Sequence, residues 1–318
     1  MLLPILAIDI HSVSFMMTRR RNQIIFLSLI VCIVLVGMGV LSVCFKSATV
    51  EVVNQTIHGY IRENQVWRGE IHIVGDIIVE TGATLTIEPG TKVLIAANSD
   101  CDNLRTDPYV MQQGIEQKPT KEGGVISGEP YQDEGHHISI NVFGTLHAVG
   151  TIDQMITITS DSPTPGIYDW NHLDFEHGII SYCVIEYYRS LDPYAEAEVS
   201  HCILRHVGEC CVALGNQSVL IEYNNMSYAG HELIDMHGDS STIRYNSLGP
   251  EPSGVGTTIN GGSGIVIDGG SPCITNNTFV DCDAAINFIS PPGNPTIKDN
   301  TFVGCESNIC SDYSLPQK

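Results

Sequence analysis

The sequence predicts an all-β solenoid of short stacked parallel strands, about 22 residues per turn, preceded by one transmembrane helix. Three observations predict it. First, one phrase (apolar, two variable residues, Cys or Asn, one variable residue, apolar) occurs six times, at Ile180–Ile185, Val199–Leu204, Ile221–Met226, Ile243–Leu248, Ile274–Phe279 and Ile297–Phe302. Successive copies begin 19, 22, 22, 31 and 23 residues apart. Second, an apolar pair spaced by two follows the phrase, at Val212 and Leu214, Ile234 and Met236, and Ile286 and Phe288, with Ile309 in the last copy. That is the strand period, which puts both side chains on one face. Third, the 22 residues from Ile24 to Phe45 carry no charge, enough to cross a bilayer as a helix.

In chain order, residues 1–23 read as a cytoplasmic N-terminus, because Arg19, Arg20 and Arg21 stand just before the apolar run. Residues 24–45 then form the anchor, with a cleavable signal segment as the competing reading. Segment 46–66 is a linker and a cap over the open end of the solenoid, where bare strand edges need cover. The stacked strands occupy 67–310. From Trp67 to Ile95 they are punctuated by Gly75-Asp76, Thr81-Gly82 and Pro89-Gly90, pairs that turn the chain. Residues 98–137 interrupt the repeat with a polar, proline-containing insertion much longer than an ordinary connection. Strands resume from Ile138 to Ser160 and run into the repeated phrases; 311–318 is a short tail.

The fourth position of the phrase holds Cys183, Cys202, Asn224, Asn246, Asn277 and Asn300. An inward Asn can bond both the turn backbone and the Asn of the next turn, so this column reads as a ladder, with Cys as a small apolar filler.

The order of Gly82-Ala-Thr-Leu-Thr-Ile-Glu-Pro-Gly-Thr91, Gly144-Thr-Leu-His-Ala-Val-Gly-Thr151, Ile156-Thr-Ile-Thr-Ser160, Trp170 and Ser181-Tyr-Cys-Val-Ile-Glu-Tyr187 resembles secreted or surface right-handed parallel β-helix repeat proteins of the pectin-lyase-like class. The resemblance implies a right-handed coil over about residues 65–310. It leaves activity open, since that class holds lyases, hydrolases, epimerases and non-enzymes. Lyases of the class bind Ca²⁺ through aspartates and use Arg or Lys as base, and its hydrolases use clustered aspartates. No one basic residue and no carboxylate pair stands out here, so no catalytic residue is assigned.

Formal charge is −21, and −24 once the four bases and single acid of residues 1–46 are set aside. So acidic a surface excludes nucleic acid and anionic lipid as partners. It suits divalent cations or simple solubility. Eleven cysteines are present, two of them in the apolar segment, and none forms a Cys-x-x-Cys pair of metal-ligand type.

Two columns carry the candidate sites. The third position of the phrase holds Tyr182, His201, Tyr223 and Tyr245, an aromatic strip of the kind on which sugar rings stack. Asp283 and Glu306 occupy equivalent places one turn apart, with Glu209 and His231 higher in the same column. Two such carboxylates should share a proton or take a cation, and an oxygen-rich pair suits Ca²⁺. The main functional expectation is a membrane-anchored, extracytoplasmic protein that binds polysaccharide or belongs to the cell envelope. The alternatives are a polysaccharide lyase or glycoside hydrolase, and a metal-handling maturation protein similar to β-helix proteins associated with copper-enzyme assembly.

Overall fold

The computed structural model describes residues 49–102, 104, 125–126, 129–130, 137–215, 218–251 and 262–311. The chain divides into two compact units, Met1–Ala48 and Thr49–Lys318, and the described residues belong to the second. All the regular structure there is β. Twenty strands join one sheet and five another, and apart from the short pair Val125–Ile126 and Glu129–Pro130 the pairings between strands are parallel.

The repeat spacing of the sequence is the register of the sheets. Ile180 pairs with Val199, Val199 with Ile221, Ile221 with Ile243, Ile243 with Ile274 and Ile274 with Ile297. The five-stranded sheet stacks Val212, Ile234, Ile265, Ile286 and Ile309 in the same manner. Each apolar column is therefore a row of like side chains facing inward, and most of them are fully buried. A slip by one residue would turn every such row outward, which is why the pattern fixes the pairing so firmly. Trp67, Trp170, Phe175, Tyr188 and Phe279 are the largest fully buried side chains of the interior.

The asparagine ladder is present. Asn224, Asn246 and Asn277 each donate through Nδ2 to the Oδ1 of the next Asn, at 3.0, 3.0 and 3.1 Å. Each also donates to a backbone carbonyl of the turn before, Val199, Ile221 and Ile243, at 2.8 to 3.0 Å. The same Oδ1 atoms accept backbone N–H groups, including that of Cys202 from Asn224 at 2.9 Å. Buried turns would otherwise leave these backbone groups unpaired.

Segment 50–66 carries strands of the same stack: Val50–Val53 pairs in parallel with Gln65–Arg68, and Thr56–Ile61 with Glu70–Val79. Most of the insertion 98–137, the stretch 252–261 and the tail from 312 lie outside the described residues.

The N-terminal helix is corrected. Among the described residues there is no α-helix, and none is long and apolar enough to cross a membrane. The segment 24–45, with 1–23 before it, lies outside the described residues. The expected anchor, the membrane attachment and the extracytoplasmic placement drawn from it thus have no element behind them in the described fold. The fold is all-β, mostly parallel, with repeated strand topology.

Candidate metal centre

Turns in this fold are made at residues with positive φ, and the aromatic column sits there. Tyr182, His201, Tyr223 and Tyr245 have φ of 52, 55, 57 and 57°, and Asn276 and Asp299 continue the column at 57°. Asn, Asp and His are enriched in this left-handed conformation, whereas Tyr adopts it at a cost. Stacking offsets it: successive ring centroids are 4.6, 5.0 and 5.0 Å apart. A second ladder, Tyr187, His206 and Tyr228, stacks at 5.4 Å from turns five residues later. Sequence reading found only the first. Both ladders are made of turn residues stacked on one another, and Tyr223 remains 48% exposed.

The acidic column takes the predicted register, but with a gap. Glu232 pairs with Ser263, Ser263 with Ala284 and Ala284 with Ser307. The residues just before them, His231, Gly262, Asp283 and Glu306, form the neighbouring column. Gly262 carries no side chain, so His231 is cut off from Asp283 and Glu306 by a whole turn. No third His, Cys, Asp or Glu joins that pair among the described residues.

Side chains that do converge lie at the other end of the column. Cys210 Sγ is 3.6 Å from His231 Nδ1 and 3.6 Å from Glu232 Oε1, while His231 Nδ1 is 2.6 Å from Glu232 Oε2. Cys210 and Glu232 are buried, and the His231 side chain is 25% exposed, the one ligand open to solvent. Burial holds the Cys210 thiol pKa well up, and the charges of Glu232, Asp235 and Glu209 push it the same way. Burial pulls the His231 pKa down, yet the hydrogen bond and charge of Glu232 carry it above its ordinary value. Glu232 is itself raised, by burial first. The trio thus holds protons where a cation would replace them.

Further along the same seam lies a second group, His172, Asp174 and Asp192. His172 Nδ1 is 3.0 Å from Asp192 Oδ2 and 3.0 Å from Ser190 Oγ, and Ser190 Oγ donates to Asp192 Oδ1 at 2.7 Å. Arg189 Nη1 stands 3.4 Å from His172 Nε2. Arginine only donates, so Nε2 must accept and Nδ1 must carry the ring proton. That tautomer leaves no lone pair on Nδ1 for a metal. Asp174 and Asp192 are hydrogen-bonded to each other, and their pKa values split. Burial and the Asp192 charge raise Asp174 well above the usual range, while the bonds from His172 and Ser190 overcome burial and lower Asp192. This is a proton-sharing carboxylate pair. It is also too close-set to flank a glycosidic bond, which needs about 5 Å or more between carboxyl groups.

A third collection, His58, Asp76, Asp100, Cys101 and Asp102, stands where the insertion leaves the sheet. One oxygen of each carboxylate is tied to the chain: Asp102 Oδ1 accepts the Asp76 N–H at 2.9 Å, Asp100 Oδ1 the Asp102 N–H at 3.1 Å, and Asp76 Oδ1 the Ser139 N–H at 2.7 Å, while Asp102 Oδ2 stands 2.8 Å from His58 Nδ1.

Of the three, Cys210, His231 and Glu232 form the group with two buried donors and no tautomer fixed against a metal; His58, Cys101 and Asp102 offer similar donor types, but His58 and Cys101 are exposed. Neighbouring ligand atoms in a tetrahedral shell with bonds of 2.0 to 2.3 Å are separated by about 3.5 Å. The two sulfur distances match this, and the short His231–Glu232 contact is the one a cation would open. Thiolate, imidazole and carboxylate together suit zinc-type ions rather than the Ca²⁺ expected from paired carboxylates. The sequence did place His231 in a chemical column. It offered nothing to mark Cys210 and Glu232, which are a Cys among eleven and a Glu among many acids.

The expectation of a membrane-anchored, polysaccharide-binding envelope protein is therefore corrected. Its anchor is not found in the described fold, and the side chains that converge are metal donors. Comparison with known proteins found no matching family model, no matching curated protein and no matching solved structure.

Proposed function

We propose that this protein binds a zinc-type divalent metal ion through Cys210, His231 and Glu232 and serves as a metal-handling protein. One observation carries the reading: three chemically different donors, two of them buried, converge from successive turns, with the Cys210 sulfur at tetrahedral spacing from both His231 and Glu232. Burying a thiol and a carboxylate side by side is costly, and a bound cation would offset that cost. We also propose that the stacked strands close into the right-handed coil implied by the pectin-lyase-like resemblance. In support, the two parallel sheets repeat with matching registers, for example Ile221 to Ile243 in one and Val212 to Ile234 in the other.

Zn²⁺ titration of the metal-free full-length chain, followed by calorimetry, tests the metal reading. One equivalent bound tightly in the presence of excess Ca²⁺ and Mg²⁺ is expected. Competition by Ca²⁺, or no binding by the parent chain, would rule it out.

A further inference from the structure

Cys210, His231 and Glu232 supply three donors, one fewer than a closed tetrahedral shell. Glu209 offers the obvious fourth. It precedes Cys210 in sequence and lies on the turn beside His231, whose N–H donates to the Glu209 carbonyl at 3.1 Å. A turn spacing of about 4.8 Å is within the reach of a glutamate side chain. Its charge acts on both Cys210 and His231. Yet its carboxylate is turned away. Arg189 Nη2 donates to Glu209 Oε1 at 3.0 Å, and Arg189 Nε stands 2.9 Å from Oε2. The Arg189 side chain is only 8% exposed, against 39% for Glu209, and its other arm rests at His172 Nε2. A guanidinium fork held on both sides is a stiff and directional partner for a carboxylate.

We propose that Arg189 is a latch that withholds Glu209 from the bound ion, keeping the fourth coordination position for an exchangeable ligand. This rests on the metal-binding reading above. Arg189 is a positioning residue, because it acts only through Glu209. Metal sites with three protein ligands keep an open position for water or an incoming group, whereas four-ligand sites are closed and structural. With the latch shut, the ion is held for transfer. The recipient would bring a thiolate or imidazole lone pair to the open position on the His231 side. His231 would then leave with its own lone pair, and no redox change is involved. With the latch removed, Glu209 closes the shell and the ion is retained.

The test uses the full-length chain loaded with Zn²⁺ and measures release to a chromogenic chelator, beside the visible spectrum of the Co²⁺ form. Arg189→Met should release Zn²⁺ about 10-fold more slowly than the parent, the scale on which partners of metal ligands act, and its Co²⁺ spectrum should shift. Arg189→Met with Glu209→Gln should return both readings to those of the parent. Release from Arg189→Met at the parent rate overturns the latch while leaving the metal site standing. A parent chain that binds no Zn²⁺ removes the site and the latch together. If Arg189→Met loses its cooperative melt, Arg189→Lys carries the same test. It should slow release to a smaller degree, and a parent rate there overturns the latch equally.

Discussion

Two groups on one seam, His172–Asp174–Asp192 and Cys210–His231–Glu232, each bring one histidine together with buried acids or a thiol. They differ in what stands behind the histidine. Behind His172 is the Arg189 guanidinium, which fixes the ring proton on Nδ1 and directs it at Asp192. The charges that act on His231, from Glu232, Asp235 and Glu209, are all those of acids. The first environment stores a proton between carboxylates, and the second attracts a cation. The lesson is that clustered donors do not make a metal site by themselves; the charge beyond them decides.

The comparison predicts opposite outcomes for matched substitutions. Cys210→Ser should weaken Zn²⁺ binding by about 100-fold, the upper end of what even outer partners of metal ligands contribute. Asp192→Asn should leave Zn²⁺ affinity as it was and lower stability instead, because Asp174 and His172 lose an ionised partner. Equal losses of Zn²⁺ affinity in the two variants, read by calorimetry, would erase the distinction between the groups.

The scaffold that sets the two groups on one seam can be broken directly. Asn246→Leu removes an amide that bonds the Ile221 carbonyl and Asn277 and accepts the Asn224 N–H. Chemical denaturation should show a loss of about 1–3 kcal/mol for backbone groups left unpaired in the interior. A parent-like midpoint would mean that the ladder adds nothing.

Glu251, charge-coupled to Glu232, sharpens the electrostatic side. Burial pushes its pKa up to about 8, although backbone N–H groups of Ala229 and Tyr228 oppose the shift. A carboxyl whose folded pKa lies above its ordinary value stabilises the fold at low pH and progressively loses that contribution as pH rises toward the folded value. Gln does not titrate and keeps the acceptor for Ala229. The melting temperature of Glu251→Gln relative to the parent should therefore climb between about pH 5 and pH 9. A flat difference across that range would show that Glu251 is ionised throughout.

The smallest effect belongs to the aromatic column. Tyr223→Ala breaks two stacked pairs, each worth about 0.5–1.5 kcal/mol, but on a side chain that is half-exposed, and alanine keeps the Cβ and with it the cost of the left-handed turn. We expect a net loss below either full stacking figure, and Zn²⁺ binding equal to the parent's. The sequence-based expectation that Tyr182, His201, Tyr223 and Tyr245 hold a ligand is examined by the same variant. A loss of ligand binding larger than the loss of stability would assign the column that role.

Much of the scaffold was legible because a stacked fold writes its register into its spacing. The intervals between copies of the phrase at Ile180, Val199, Ile221, Ile243, Ile274 and Ile297 are the pairings of the sheet. The Asn column was legible for the same reason, since one residue type recurs at one place. The metal group was not. Its members come from two adjacent columns and are three different residue types, so no recurrence marks them. The acidic column drew attention to Asp283 and Glu306, where like residues do repeat, but Gly262 separates them from His231. The apolar segment 24–45 was read by length and hydropathy alone, and the described fold contains no helix to match it.

The most direct measurement is the absorption spectrum of the full-length chain titrated with Co²⁺. A thiolate in the shell gives an intense near-ultraviolet sulfur-to-metal band that carboxylate or imidazole ligands cannot supply, and low coordination number intensifies the visible bands. Both features are expected at one equivalent of Co²⁺, with bleaching by Zn²⁺ and loss of the sulfur band in Cys210→Ser but not in Asp192→Asn. Weak visible bands without the sulfur band, or a sulfur band that persists in Cys210→Ser, would contradict the proposed metal site.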